Sequence, residues 1–361
     1  MLNWVLSALL SRDCLCRVLF KPRVLRYLPL SASIMIYDAF LMLSVIKTSA
    51  AFYSSSPRRS AVTSNLPKIL RNSQLSTVTA VDEYDELKKS RQFRIHARLY
   101  NIIPSNGSER NNAESSTDGT ITKIVHFQRH AQGTHNEIYQ QWTIKTGKQL
   151  DLNETDPTKN PLLLPNVIDA PLTPKGRDQC MEQQTVARAL EGVELIVMSP
   201  LIRCLQTAHI TFEDHLPNKK SEMKWIAHEG IREELGLLLC NKRRPLSETQ
   251  KLFPNVDFTY AQFGKNDDQY DTMWENHATK HTNTRESIED MSHRCYDFLV
   301  HFVRQRHERE IVVVAHSALF YAMTNAVLDV NSNDRPRLTP MFSQAEIRSV
   351  KLTFVEPNNA Q

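Results

Sequence analysis

Three short apolar runs in this sequence each end on polar side chains able to hold an anion, and that pattern constrains the fold most. Ile311-Val312-Val313-Val314-Ala315 is the clearest and closes on His316. Ile124-Val125-His126-Phe127 leads into Arg129 and His130, and Glu194-Leu195-Ile196-Val197-Met198 leads into Ser199 to Arg203. Runs apolar on both faces read as strands buried on both sides, which is how parallel sheets are built. The intervening segments read as helices. Thr173 before Pro174 is a helix start, with Thr as N-cap and Pro at the first position, and the helix is expected to run to about Leu190. Leu201 to Phe212, Glu286 to Arg306 and Ser317 to Leu328 follow as helices, Trp225-Ile226-Ala227 as a short strand and Ala345 to Val355 as an edge strand. The expected fold class is α/β, a three-layer α/β/α sandwich with a mainly parallel central sheet. In such sheets ligands bind at the carboxyl ends of the strands, so three polar clusters at equivalent ends suggest one shared anionic site.

Each member of that site has a plain structural reading when taken alone. A single histidine after a strand is more often structural, and Arg203 alone is a solvated helix residue. Together Arg129, His130, Arg203 and His316 supply two guanidinium forks and two imidazoles, which suit phosphate oxygens. A neutral imidazole can attack phosphorus and divide one hard displacement into two easier ones. Phosphoryl transfer needs mainly positioning and charge stabilisation, so this set is chemically sufficient. A leaving oxygen also needs a proton, and Glu233 or its neighbour Glu234 is the candidate acid.

Other chemistries find little support. There is no GxGxxG and no Walker sequence, His277-Ala-Thr-Lys-His281 lacks the glutamate of a zinc protease, and Ser317 is not in a GxSxG elbow. Cys180, Cys204, Cys240 and Cys295 are widely spaced and read as buried thiols rather than a zinc site or disulfide framework. No magnesium motif is seen, and no metal and no cofactor is expected.

These pieces resemble the histidine phosphatase superfamily, also called phosphoglycerate mutase-like. The resemblance rests on Arg129-His130-Ala131 with Asn136, Leu172-Thr173-Pro174-Lys175-Gly176, Ser199-Pro200-Leu201-Ile202-Arg203 with Gln206-Thr207-Ala208, Arg232-Glu233, and His316 after a valine-rich strand. It covers about residues 122 to 330, with the five motifs in order. It implies that His130 is the nucleophile of a metal-independent phosphoric monoester hydrolase working through a phosphohistidine. Arg129, Arg203 and His316 would bind the phosphoryl group, Glu233 would be the proton donor, and Asn136 would touch phosphate. The stretch from Cys240 to Phe258 looks like the plant, fungal and algal phosphoglycerate mutase-like branch. Lys242, Arg243 and Arg244 in it are candidates to meet an acidic substrate, and residues 241–285 are expected to cover the pocket. Three departures stand out. Ala131 puts a methyl where the family usually has glycine beside phosphate, Ser317 follows His316 where many members have glycine, and Gly236 lies three residues after Glu233 where the mutases have four. The alternatives are mutase-type phosphoryl transfer, which a requirement for a 2,3-bisphosphoglycerate primer would reveal, and a catalytically weak phosphate- or phosphoprotein-binding module.

The front of the chain reads as an address. Residues 1–81 hold two acids, Asp13 and Asp38, against ten Lys or Arg, so the net charge of +4 gives no nucleic-acid footprint for the rest. Residues 27–46 are mostly apolar and fit a membrane anchor, a signal core, or an upstream extension before a start at Met35. The acid-free Ser/Thr/Arg stretch from Phe52 to Ala80 has transit-peptide composition. The order resembles the bipartite plastid leaders of algae, so the chloroplast is the expected compartment, with mitochondrion and a secretory or membrane-anchored form as alternatives. Residues 82–121 are expected to form a charged helical segment and polar linker, 122–356 the catalytic domain and 357–361 a tail. The expected partner is a small phosphorylated substrate, with a phosphoprotein also admitted, no nucleic acid, and membrane contact only if the leader stays.

Overall fold

The computed structural model describes residues 84–102, 120–215, 223–265, 269–281 and 283–356. All fall within the unit spanning residues 66–361, and the unit of residues 1–65 contains none of them. The leader, most of the expected linker and the tail therefore lie outside the described residues. Among those described, no helix is long and apolar enough to cross a membrane.

Seven strands form one sheet: β1 Arg94–Leu99, β2 Ile121–Arg129, β3 Leu195–Met198, β4 Lys224–Ala227, β5 Glu310–Ala315, β6 Asp329–Val330 and β7 Ile347–Val355, in the order β4-β3-β5-β2-β7-β1-β6. Strands β4, β3, β5 and β2 are mutually parallel, with Met198 opposite Val314 and Arg129 opposite Ala315. That register brings the carboxyl ends level, so His130, Ser199 and His316 follow at one rim. The alternation of side chains along these strands explains both cores. Val125, Phe127, Leu195, Val197, Ile311 and Val313 enter one apolar cluster, and Ile196, Met198, Val312 and Val314 enter the other. A strand with two buried faces is a continuous apolar run, which is why β3 and β5 were readable.

The helices cover both faces. They are α1 Thr134–Thr146, α2 Pro174–Arg188, α3 Ile202–Thr211, α4 Leu246–Leu252, α5 Thr272–Lys280, α6 Ile288–Asp297, α7 Ser317–Ala326 and α8 Arg335–Leu338. After Asp297, α6 continues as a wider π-turn over Phe298–Val303. Residues of α6 and α7 pack in the first cluster, those of α2 and α3 in the second. Thr173 does cap α2, its hydroxyl accepting from the Gly176 N–H at 3.0 Å.

Two sequence expectations need correction. The folded unit does not begin near Thr122. Residues 84–89 are helical, but 94–99 form β1, which pairs over six residues with β7 and also with β6. Ile95 and Ala97 are buried between exposed His96 and Arg98, a period of two that the surrounding charges obscured. Nor is β7 an edge strand. It is antiparallel to both neighbours and sits between β2 and β1.

Candidate active site

At the carboxyl end of β2, the His130 N–H donates to the Ala315 carbonyl at 2.9 Å, fastening the loop to β5. The imidazole is 1% exposed. Its Nδ1 lies 2.7 Å from the carbonyl oxygen of Ala131. A carbonyl only accepts, so Nδ1 carries the proton and Nε2 carries the lone pair. Burial holds the His130 pKa well below 6.5, and Arg203, Arg129 and His135 reinforce that. The ring is therefore neutral at physiological pH, as a nucleophile must be.

The motif residues around it are mostly fasteners. Thr207 Oγ1 accepts from the Ala131 N–H at 3.1 Å and donates to the Arg203 carbonyl, and Gln206 Oε1 accepts from the Leu172 N–H at 2.8 Å. Gly176 is required because a Cβ there would lie 2.2 Å from the Gln132 carbonyl oxygen. Close helix-to-loop approach explains the Leu-Thr-x-x-Gly pattern. Ala131 is fully buried with Leu172, Cys180 and Ala345, and it does not line the cleft. The methyl expected to crowd phosphate is instead part of the core.

Arg203 is fully buried at the start of α3. One terminal nitrogen donates to the Cys240 carbonyl at 2.7 Å and the other to Asn241 Oδ1 at 2.8 Å. The second also lies 3.3 Å from His316 Nδ1. A guanidinium only donates, so His316 Nδ1 accepts and its Nε2–H donates to Ser199 Oγ at 2.8 Å. His316 is thereby a neutral ring with both nitrogens occupied, its centroid 5.1 Å from that of His130. Burial first, then Arg203, holds its pKa well below 6.5.

Two buried guanidinium donors, Arg129 Nε and Arg203 Nε, have no partner, nor has the ring nitrogen Nδ1 of His135. Leaving a buried donor unsatisfied costs about 1–3 kcal/mol, so a cluster of them marks a place for an acceptor. Burial lowers the Arg129 pKa, with Glu233 opposing. An anion in the cleft would offer Arg129 Nε an acceptor.

Glu233 and Glu234, indistinguishable in the sequence, part company here. One carboxylate oxygen of Glu233, one nitrogen of His130 and one of His316 lie within 4.8 Å of one another. Glu233 Oε1 accepts the Leu319 N–H at 3.2 Å in the first turn of α7, and Oε2 has no hydrogen bond among the described residues. Glu234 is gripped at both oxygens by Arg285. Burial pushes the Glu234 carboxyl up to about 7 even with Arg285 beside it.

These residues meet at a cleft of about 640 Å³. Arg129, His130, Asn136 and Glu233 line it, whereas Arg203 and His316 sit fully buried and do not line it. Asn136 Oδ1 accepts the Gly133 N–H at 3.0 Å, so this residue also closes the cap of α1. His135 also lines the cleft, its ring centroid 5.6 Å from that of His130. The sequence reading passed over it, although its position five residues after His130 in the first turn of a helix was the available signal.

Lys242, Arg243 and Arg244 do not reach the cleft. Lys242 pairs with Glu275 at 2.6 Å and Arg244 with Asp169 at 3.1 Å. Arg243 is 2% exposed and joins a buried group in which Arg243 Nε meets Glu229 at 3.2 Å and Arg232 grips both oxygens of Asp271 at 2.6 and 2.7 Å. Burial works against the charge of Arg232, but Asp271 and Glu229 more than offset it and hold its pKa above the ordinary value. The described residues of 241–285 do not cover the cleft either. Leu246, Phe253, Val256 and Phe258 pack under the sheet, and among the described residues of this stretch only Asn241 and Arg285 touch the site. One wall is instead built on α1 and residues 150–163, where Leu150, Leu162, Val167 and Leu238 form a separate apolar cluster. The four described cysteines are buried free thiols, and burial pushes each of them up.

A parallel sheet bearing this histidine and arginine rim defines a phosphate-handling α/β protein, and comparison with known families agrees. The model of the histidine phosphatase superfamily (branch 1) matches residues 154–249 and 257–357, more than half the chain, and the protein belongs to that family. The matched residues begin after the His130 loop, so that loop is assigned on geometry and motif. Two Arabidopsis thaliana relatives are similar over much of their length. Phosphoglycerate mutase-like protein 1 is 28% identical over 256 residues, which is 63% of this chain and 80% of the relative. A phosphoglycerate mutase-like protein is 26% identical over 254 residues, 63% of this chain and 83% of the relative. Among solved structures, a mycobacterial glucosyl-3-phosphoglycerate phosphatase bound to VO3 aligns at 17% identity with a TM-score of 0.34, covering 63% of this chain and 92% of that one.

Proposed function

We propose that the protein hydrolyses phosphomonoesters through a phosphohistidine on His130, without a metal. The observation that carries this reading is the tautomer: Ala131 fixes the proton on Nδ1, which leaves Nε2 as a neutral buried nucleophile. Nε2 attacks phosphorus as the bond from phosphorus to the alcohol oxygen breaks. Glu233, in its acid form, gives its proton to the departing oxygen. A water then gives its proton to the Glu233 carboxylate and bonds to phosphorus as the phosphorus–nitrogen bond breaks. Neutral His130 and inorganic phosphate result. Arg129, which lines the cleft, gains an acceptor for its unpartnered Nε from a phosphoryl oxygen.

The donor set argues against a resident cation. His130, Glu233 and His316 have ligand atoms close together, but both His316 nitrogens are already bonded and the guanidinium of Arg203 lies against that ring. A divalent ion there would face Arg129 and Arg203 unshielded. The test is turnover of p-nitrophenyl phosphate by the purified protein in a chelator, beside His130→Ala. Full activity in the chelator that His130→Ala abolishes is expected. Activity that needs added metal, or survives in His130→Ala, would refute the reading. A requirement for 2,3-bisphosphoglycerate would favour the mutase alternative.

A further inference from the structure

The cleft is much larger than a phosphoryl group, and small-molecule sites generally span about 300–1,000 Å³ with a few polar groups fixing orientation. Its volume of about 640 Å³ leaves most of the space for the alcohol. Away from His130 the apolar part of the walls is formed by Tyr139, Leu152, Leu162, Met291, Tyr321 and Met341, with the neutral amides of Gln140, Asn153 and Gln344 among them. They come from α1, the 150–163 segment, α6, α7 and the loop before β7, so the apolar lining is not an accident of one element.

The charges on the same walls decide what the alcohol can be. Among the described residues, Arg285 is the one lining Lys or Arg beyond Arg129, and Glu234 takes it at both oxygens. Glu286 also lines the cleft and is held by Arg294, which does not. The walls beyond the nucleophile therefore present two carboxylates and one committed guanidinium. The basic run at Lys242, Arg243 and Arg244 is spent on Glu275, Glu229 and Asp169. A carboxylate or second phosphate on the alcohol would find no unpaired cation there among the described residues, because Arg285 is bound to Glu234.

Resting on the hydrolase reading above, we infer that the substrate is the phosphomonoester of a sizeable, uncharged apolar or aromatic alcohol. A phosphorylated sugar acid or amino acid, whose carboxylate would lack an unpaired cation there, is expected to be a poorer substrate. The phosphoryl group sits at Arg129 and His130, and the apolar body lies between Tyr139, Leu162 and Met291.

The experiment compares kcat/KM of the full chain on three alkyl phosphates of similar leaving group: 2-naphthylethyl phosphate, glycerol 3-phosphate and 3-phosphoglycerate. Naphthylethyl phosphate is expected to exceed the other two by at least about tenfold, since apolar contacts of this kind discriminate by 10- to 200-fold. Met341→Glu, at a residue 41% exposed on the rim, is expected to narrow that ratio without endangering the fold. Equal rates, or preference for 3-phosphoglycerate, would overturn the inference. If no ester turns over, the hydrolase reading falls and calorimetry decides this one separately. Tighter binding of 2-naphthylethylphosphonate than of methylphosphonate would uphold the apolar subsite, and equal affinity would overturn it.

Discussion

Asn241 accepts a hydrogen bond from the buried guanidinium of Arg203 at 2.8 Å. The same residue gives its side-chain N–H to the Glu234 carbonyl and receives Arg232 at its own carbonyl. Arg232 is in turn fixed by Asp271. Asn241 thus ties a buried ionic group to Arg203, which lies against His316, and it acts as a positioning residue. Asn241→Ala should lower kcat/KM by about 10- to 100-fold, the scale on which misplacing a reacting group matters. Asn241→Asp, which keeps the acceptor, should recover most of the loss. Equal damage in both variants would make Asn241 merely structural.

Glu233 and Glu234 should separate in kinetics as they do in space. Glu233→Gln keeps the oxygen that accepts from Leu319 but cannot give a proton. It should lower kcat/KM for an alkyl phosphate by about 100- to 10,000-fold. The loss should be much smaller for p-nitrophenyl phosphate, whose leaving group needs no proton. Glu234→Gln should show no such dependence on leaving group. The opposite pattern would move the acid role to Glu234.

Stability should fall on the acid side. Burial holds His130, His135, His209 and His316 below 6.5, and His228 at about 4. The unfolded chain takes up protons near 6.5 while the folded chain does not. Each ring therefore contributes stability that is present above that pH and lost as pH falls toward the folded value, at up to about 1.4 kcal/mol per pH unit. His228 lies against Phe298, Phe302 and Tyr260, and its Nδ1 accepts the Gly230 N–H. His228→Asn can keep that acceptor and removes the titration. Denaturant unfolding between pH 7 and 4.5 should show a slope shallower by about one proton in His228→Asn. An unchanged slope would contradict the assignment.

The parallel half of the sheet and the placement of His130 at its rim were legible because both follow from short-range rules. A strand buried on two faces must be an apolar run, and residues at its carboxyl end must face the ligand rim. The Thr173 cap and the phosphate-rim residues Arg129 and His130 were read on that basis. What escaped depends on pairing across long sequence separations. Ile95 and Ala97 become core only because β7 folds back beside β1, and β7 becomes central for the same reason. The basic run Lys242-Arg243-Arg244 misled because its acid partners Glu275, Glu229 and Asp169 are 14 or more residues away in the chain. The methyl of Ala131 was placed beside phosphate because the direction of a loop side chain is not encoded by its neighbours. His135 was missed because its spacing from His130, the one signal available, does not by itself show that the two rings lie 5.6 Å apart.

The central claim is that His130 Nε2 takes the phosphoryl group. The direct measurement is mass spectrometry of the enzyme quenched in alkali during turnover of a phosphomonoester, conditions in which phosphohistidine survives. A phosphate on the peptide bearing His130, present in wild type and absent in His130→Ala, is the predicted result. A phosphate on another residue, or turnover persisting in His130→Ala, would contradict it.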